Sequence, residues 1–308
     1  MAEIPYLCLW TKPDFIMENF SHFLITRFNL NLYERDKHAA PTRTARWLEH
    51  RFEVFERYCL PSVAAQTATD FRWLCLFDAA TPEPYRRRIA SYRAVCPRFE
   101  AVYYTAAQTA CLTESLRGTI RSVLAAEHGS TPPPHGLLIT TNLDNDDALA
   151  SDALELLRRE IRPCPGKRIY SLLYGYQYFT SERFLLKMRY TNNHFLTLVE
   201  PFDDRAETII AYRHTRAIRQ QPTVYISSPH GKWLEIVHED NVSNDLRINA
   251  KVRNIPVLRG RTFSDFGLPE LRVTARRQWF QTLFLLPVRF LVTGAKRLRG
   301  KRARLRRK

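Results

Sequence analysis

The sequence is short of glycine, has no closely spaced cysteines and has no apolar run long enough to span a membrane. Ten glycines in 308 residues exclude a repetitive or fibrous chain. The six cysteines stand at 8, 59, 75, 96, 111 and 164, none spaced as Cys-x-x-Cys, so no thiolate metal site is indicated. They read as reduced thiols of a cytoplasmic protein, with Cys75, inside FRWLCLF, as a small core hydrophobe. The opening MAEIPYLCLWTKPDF lacks a basic start and a long apolar stretch, which argues against a signal peptide. The segment WFQTLFLLPVRFLVTG (279–294) is broken by Gln281, Pro287 and Arg289. It falls short of the roughly 20 apolar residues a bilayer span needs.

What is present points to a globular chain. Hydrophobic residues make up 45% and aromatics 12%, ample for a large core. Of the net charge of +16, nine positive charges and no acid lie in KRLRGKRARLRRK (296–308). Two readings of the C-terminus stay open. The segment 279–294 lies in a membrane interface with the tail against anionic headgroups, or it packs on the core with a solvated charge run behind it. Nucleic-acid binding is disfavoured, because the tail has no interleaved aromatics and no nucleic-acid module is readable upstream.

Strand and helix signals alternate through the first half. HFLITRFNL (22–30), FRWLCLFD (71–78), FEAVYYT (99–105) and LLITTNL (137–143) read as strands. Between them, 46–66, 83–95 and 112–127 read as helices, the first one kinked or split at Pro61, and 148–160 follows as another. This alternation predicts a mainly parallel sheet with helices on both faces. Beyond 165, RIYSLLYGYQYF, FLLKMRY, TIIAYR and TVYISS are strand-like and predict a mixed continuation. YGYQYF reads first as a strand with a buried face and second as a sugar-stacking platform.

The fourth strand ends in Asp144-Asn145-Asp146-Asp147. Three carboxylates within four residues repel one another, and a hard divalent cation is one thing that relieves the repulsion. In open α/β sheets, ligands sit at the carboxyl ends of strands, where this turn and Asp78 both fall. The competing reading is a helix N-cap, with acids at the positive end of a helix dipole. A phosphotransferase with an Asp-x-Asp nucleophile needs the motif after the first strand, and here it follows the fourth.

Several segments in order carry a resemblance: RFN (27–29), WLEHRF (47–52), CLPSVAAQT (59–67), FRWLCLFD (71–78), LDNDDAL (143–149) and WLEIVHEDNVSN (233–244). Over about residues 20–245 the chain resembles family-2-type glycosyltransferases of the GT-A fold, and within them the bacterial family of putative rhamnosyltransferases. The resemblance implies an α/β, Rossmann-like mixed sheet flanked by helices. It implies one domain over 1–270, with a donor half at about 20–160 and an acceptor half at 161–270, followed by the amphipathic segment and basic tail at 271–308.

The implied activity is metal-dependent transfer of a sugar from a nucleoside diphosphate to a glycan or glycolipid hydroxyl. The setting implied is cell-envelope polysaccharide synthesis in the cytoplasm or on the inner face of the membrane. Inversion at the anomeric centre and Mn²⁺ or Mg²⁺ are part of the same expectation. Thr26, Arg27, Asn29, Asp78 and Asp144 are expected to bind the donor. Asp144, Asp146 and His238 are expected to hold the metal. Arg121 is a candidate for the diphosphate through bidentate pairing, or for a surface ion pair with Glu114 or Glu127. Glu239 and Asp240 are candidates for the general base, although HEDNVSN is also good turn composition. A non-catalytic, basic-tailed protein binding membrane or nucleic acid is the alternative. It explains the tail but not the acidic turn.

Overall fold

The computed structural model describes residues 20–32, 44–128, 136–163, 165–238 and 252–292. The first half alternates as expected. It runs β1 (Phe20–Arg27), α1 (Ala45–Val54), α2 (Leu60–Ala64), β2 (Arg72–Asp78), α3 (Glu83–Val95), β3 (Phe99–Tyr104), α4 (Ala106–Ala110), α5 (Leu112–His128) and β4 (Leu137–Asn142). β5 (Ala148–Leu149), α6 (Ala153–Glu160), β6 (Arg168–Leu172), β7 (Tyr174–Phe179), β8 (Phe184–Tyr190) and β9 (Leu196–Pro201) follow. The chain then forms α7 (His214–Gln220), β10 (Thr223–Ile226), β11 (Trp233–Val237), β12 (Val252–Pro256), β13 (Arg261–Phe263), β14 (Leu268–Val273) and α8 (Ala275–Phe280).

A seven-stranded sheet has the order β10-β6-β9-β4-β1-β2-β3. Its β4-β1-β2-β3 portion is parallel, and β9 runs antiparallel to both β4 and β6. This is the α/β mixed sheet flanked by helices that the sequence leads one to expect. Alternation along each strand divides the core. Leu24, Trp73, Cys75 and Phe77 face the layer holding α1 and α3, while Phe23, Ile25, Leu74 and Leu76 face Leu116, Ile120 and Leu124 of α5. A second sheet, β12-β8-β7-β11-β5, lies beyond, and β13 pairs with β14 as a ribbon.

Three local expectations are corrected. Residues 148–160 are not one helix: Ala148 and Leu149 pair with Leu234 and Trp233 of β11, and α6 begins at Ala153. Two apolar residues that complete a sheet edge outweigh the helical spacing that follows. TIIAYR is not a strand. Ile209–Ala211 form a 3₁₀ turn after Thr208, whose φ of 63° bends the chain. The break near Pro61 is a π-helical turn over Phe55–Cys59, which lets α2 start with the proline in its first turn. YGYQYF follows its first reading, a strand buried from Gly175 to Phe179: Tyr176 packs edge-on to Phe263 and Phe266, and the half-buried Tyr174 lies under Lys187.

Candidate active site

The acidic turn is the junction of the two sheets. β4 leaves the large sheet at Asn142, and β5 enters the second sheet at Ala148, with the turn between. Its backbone is fixed from both sides. Leu143 N donates to Ile25 O (3.0 Å), and Ile236 N of β11 donates to Asp147 Oδ1 (2.8 Å). The helix-cap reading fails here, because α6 starts six residues beyond Asp147, and Asp152 at its cap position makes no capping bond.

The carboxylates of the turn point to different partners. Asp146 is buried and meets Arg51 Nη1 (2.8 Å) and His238 Nε2 (3.2 Å). Arg51 also donates to Asn145 Oδ1 (3.1 Å), and Asn145 Nδ2 donates to Phe28 O (2.9 Å). Arg51 is placed by α1, whose core face carries Leu48, Arg51 and Phe52 at helical spacing. Phe28 locks that helix to the strand ends, with ring centroids 4.6 Å from Phe52 and 4.9 Å from Phe77. Burial opposes charge on Asp146. Arg51 and His238 more than offset it and hold the carboxyl well below the usual range.

Asp147 is fully buried and meets His194 Nε2 at 2.6 Å. His194 lies in the β8–β9 connection. β9 pairs antiparallel with β4, Thr197 opposite Thr141, and this brings the connection back to the turn. Asn142 Nδ2 donates to His194 O (3.0 Å), and Asn193 Nδ2 reaches Leu172 O and Tyr190 O, so the loop is pinned by side chains. Burial pushes the Asp147 carboxyl up and works against a charged His194, but Asp147 and Asp144 together push His194 up. One short N···O contact holds one shared proton, so both groups cannot keep a proton of their own. With two carboxylates facing Nε2, we assign the proton to an imidazolium and the negative charge to Asp147.

Asp144 is half-exposed. It receives Asn142 Nδ2 (3.3 Å), lies 3.5 Å from Arg27 Nη2 and is 3.8 Å from His194 Nε2. One ligand atom each from Asp144, Asp147 and His194 lies within 4.8 Å of the others. Once His194 gives up its Nε2 proton, two carboxylates and a neutral imidazole are a donor set that suits a divalent cation. Asp146 bonds both Arg51 and His238, and the other ring nitrogen of His238 faces His50. The structure brings Asp144 together with Asp147 and His194.

The chain matches the family model described as "Putative rhamnosyl transferase" over residues 18–250. It belongs to that family. A comparison with curated proteins gives no match. Among solved structures it is similar to S. aureus TarS (residues 1–349), at 10% identity and TM-score 0.34, covering 70% of this chain and 60% of that one. It is also similar to a putative nucleotide-diphospho-sugar transferase from Desulfovibrio desulfuricans G20, at 8% identity and TM-score 0.31, covering 72% and 82%. The chain thus spans less than two thirds of the TarS structure.

In this rhamnosyl transferase family member the remaining expected residues divide. Asn29 and Asp78 form one corner: Asn29 Oδ1 accepts from Asp78 N (3.0 Å), and Asn29 Nδ2 donates to Thr81 Oγ1 (3.0 Å). Asp78 and Asp144 follow strands on either side of β1 at the same sheet end. Thr26 does not line that corner; it is fully buried and accepts from Trp73 Nε1 (2.9 Å). Arg121 is also elsewhere. It pairs with Asp204 in the loop that follows β9, beside the amino end of β4, because α5 runs antiparallel to the strands it covers. Glu239 and Asp240 lie outside the described residues.

His50, Arg51 and His194 lie beside the turn and are not singled out by pattern, while Asp147 reads only as one acid of the turn. Arg51 had a signal, a charge among the apolar positions of α1. His50 Nε2 contacts His238 Nδ1 (3.4 Å) and extends the Asp146–His238 line to a cleft of about 620 Å³. Arg46, Glu49, Glu53, Thr180 and Ser181 complete its walls.

Proposed function

We propose that the chain transfers a sugar, rhamnose by the family's description, from a nucleoside-diphosphate donor to a hydroxyl of a glycan or lipid-linked acceptor. The observation that carries this reading is the Asp144–Asp147–His194 cluster at the carboxyl end of β4, in a chain of this family. Asp78 with Asn29 forms the adjoining corner for the nucleoside. Arg27, beside Asp144, faces the diphosphate. Mn²⁺ or Mg²⁺ held by the cluster supplies positive charge to that diphosphate.

The protein's own groups are set up for the rest. Ile236 N and His194 orient Asp147, and Arg51 keeps Asp146 ionised without exposing it to water. The cleft beyond His238 takes the acceptor, since Glu49 and Glu53 offer hydroxyl-binding oxygens there. Glu239 or Asp240, next in sequence to His238, removes the acceptor proton, and a single displacement inverts the anomeric centre. Donor and acceptor halves work as one domain. Residues 279–308 hold it at an anionic inner-membrane surface for envelope glycan synthesis.

The test is nucleoside-diphosphate release from UDP-, GDP- and dTDP-linked sugars with Mn²⁺. Turnover of one donor, abolished by chelator and by Asp144→Asn, supports the reading. No turnover with any donor or metal contradicts it.

A further inference from the structure

The C-terminal helix turns a broad apolar face to solvent. A helical run extends from Ala275 to Val292, with a π-helical turn over Gln281–Leu285. Its protein-facing side mixes polar anchors with Leu286 and Phe290, which pack on Phe179, Phe184 and Leu186. Gln278, fully buried, donates to Leu185 O (2.9 Å) and Val257 O (2.8 Å) and accepts from Leu185 N (3.1 Å). Gln281 Nε2 donates to Glu182 O (3.2 Å), and Arg289 pairs with the Glu182 carboxylate over the Phe179 ring. Between 279 and 292 every exposed position is apolar. Trp279, Phe280, Leu283, Phe284, Val288, Leu291 and Val292 are 48–74% exposed, and Pro287 completes the face. A helix stabilised only by the fold would turn this face inward. An exposed apolar face of this kind marks a surface built for a partner.

We propose that this face is a membrane-docking surface that inserts into the interface of an anionic bilayer. Charge identifies the occupant. The next segment, KRLRGKRARLRRK at 296–308, carries nine Lys and Arg and no acid, and Arg272, Arg276 and Arg277 are exposed at the start of the helix. Apolar insertion beside a dense positive run is the pairing that anionic lipid surfaces bind, and each part strengthens the other. Among the described residues no helix is long and apolar enough to cross a membrane, so the helix lies in the plane of the surface.

The anchor also reaches the cleft. Glu182, which holds both Gln281 and Arg289, follows directly on Thr180 and Ser181 in the wall of the cleft beside His50 and His238. Docking therefore fixes one lip of the acceptor cleft at the lipid surface, which fits an acceptor carried on a lipid. This last step rests on the transferase reading; the docking itself does not.

The experiment is flotation of the full chain with phosphatidylcholine vesicles, with and without about one third phosphatidylglycerol. Wild type is expected to float with the anionic vesicles only. Leu283→Glu/Phe284→Glu/Leu291→Glu is expected to bind at least about tenfold more weakly while melting and binding nucleotide like wild type. In a second readout, brominated lipid quenches the fluorescence of wild type more than that of Trp279→Phe. No flotation, or equal flotation of the glutamate variant, overturns the proposal. A dimer in lipid-free solution that the glutamate variant splits overturns it too, by assigning the face to a second copy. Flotation without nucleotide binding leaves the docking surface standing and removes only the transferase reading.

Discussion

Arg51 and Asp146 form a buried ion pair, Nη1 to Oδ2 2.8 Å, between residues 95 apart in the chain. The pair braces α1 against the turn that joins the two sheets. His238 closes it from β11, so three elements meet at one carboxylate. Asp146 is buried in this pair, and the half-exposed Asp144 is the more accessible carboxylate of the turn.

Removing the cation alone strands a buried charge. Arg51→Met is expected to cost about 3–5 kcal/mol in urea denaturation. Asp146→Asn, which keeps a hydrogen-bonding amide there, costs less. Equal and negligible losses would show that the pair bears no load.

The ligand cluster predicts a metal effect that needs no substrate. Mn²⁺ binding only the folded chain raises its stability, by about 2.7 kcal/mol at a hundredfold excess over Kd. Thermal melts with and without Mn²⁺ are expected to show this rise in wild type and in Arg27→Lys. Asp144→Asn and His194→Gln should lose it.

A buried histidine sets an acid-side slope. His22 Nε2 sits 2.9 Å from Thr141 Oγ1, and its Nδ1 has no partner. Burial holds its pKa down to about 4 from 6.5, with Asp70 opposing and Arg158 assisting. The folded value lies below the unfolded one, so the unfolded chain takes up the proton first. The contribution is complete above pH 6.5 and is lost as the pH falls towards 4. Melts across this window should decline less steeply in His22→Gln than in wild type, and the His22 ring should titrate near pH 4 by NMR.

Gly175 leaves room for an indole. A Cβ there would lie 1.9 Å from the Trp233 ring. That ring stacks on Phe195 at 5.0 Å and donates to Leu172 O at 2.8 Å, beside His194. Gly175→Ala is expected to destabilise by about 1–3 kcal/mol in denaturant. It should also weaken the Mn²⁺ effect, because the displaced indole pushes on the loop that carries His194.

Local pattern made some of this legible. The apolar runs ending in Asp78 and Asp144 marked the strands and the end of the sheet where ligands bind. α3 follows its spacing residue for residue. What spacing could not show was pairing at a distance. Ala148–Leu149 look like the start of a helix until β11 is laid beside them. Nothing in the spacing around Asp146 shows that Arg51 reaches it. His194 sits in a polar loop, TNNH, and only the antiparallel return of β9 along β4 delivers it to the turn. Arg121 forms the surface ion pair that is one of its two readings, but with Asp204, because a helix face does not say which end of the sheet its residues reach.

The measurement that tests the central claim most directly is calorimetric titration of UDP, GDP and dTDP into the full chain with Mn²⁺ and with chelator. Wild type, Asp144→Ala and His194→Ala should be compared. The predicted result is one nucleotide that binds wild type only with metal and binds neither variant. Failure of every nucleotide to bind wild type under any metal condition would contradict it, as would binding that persists in chelator and in both variants.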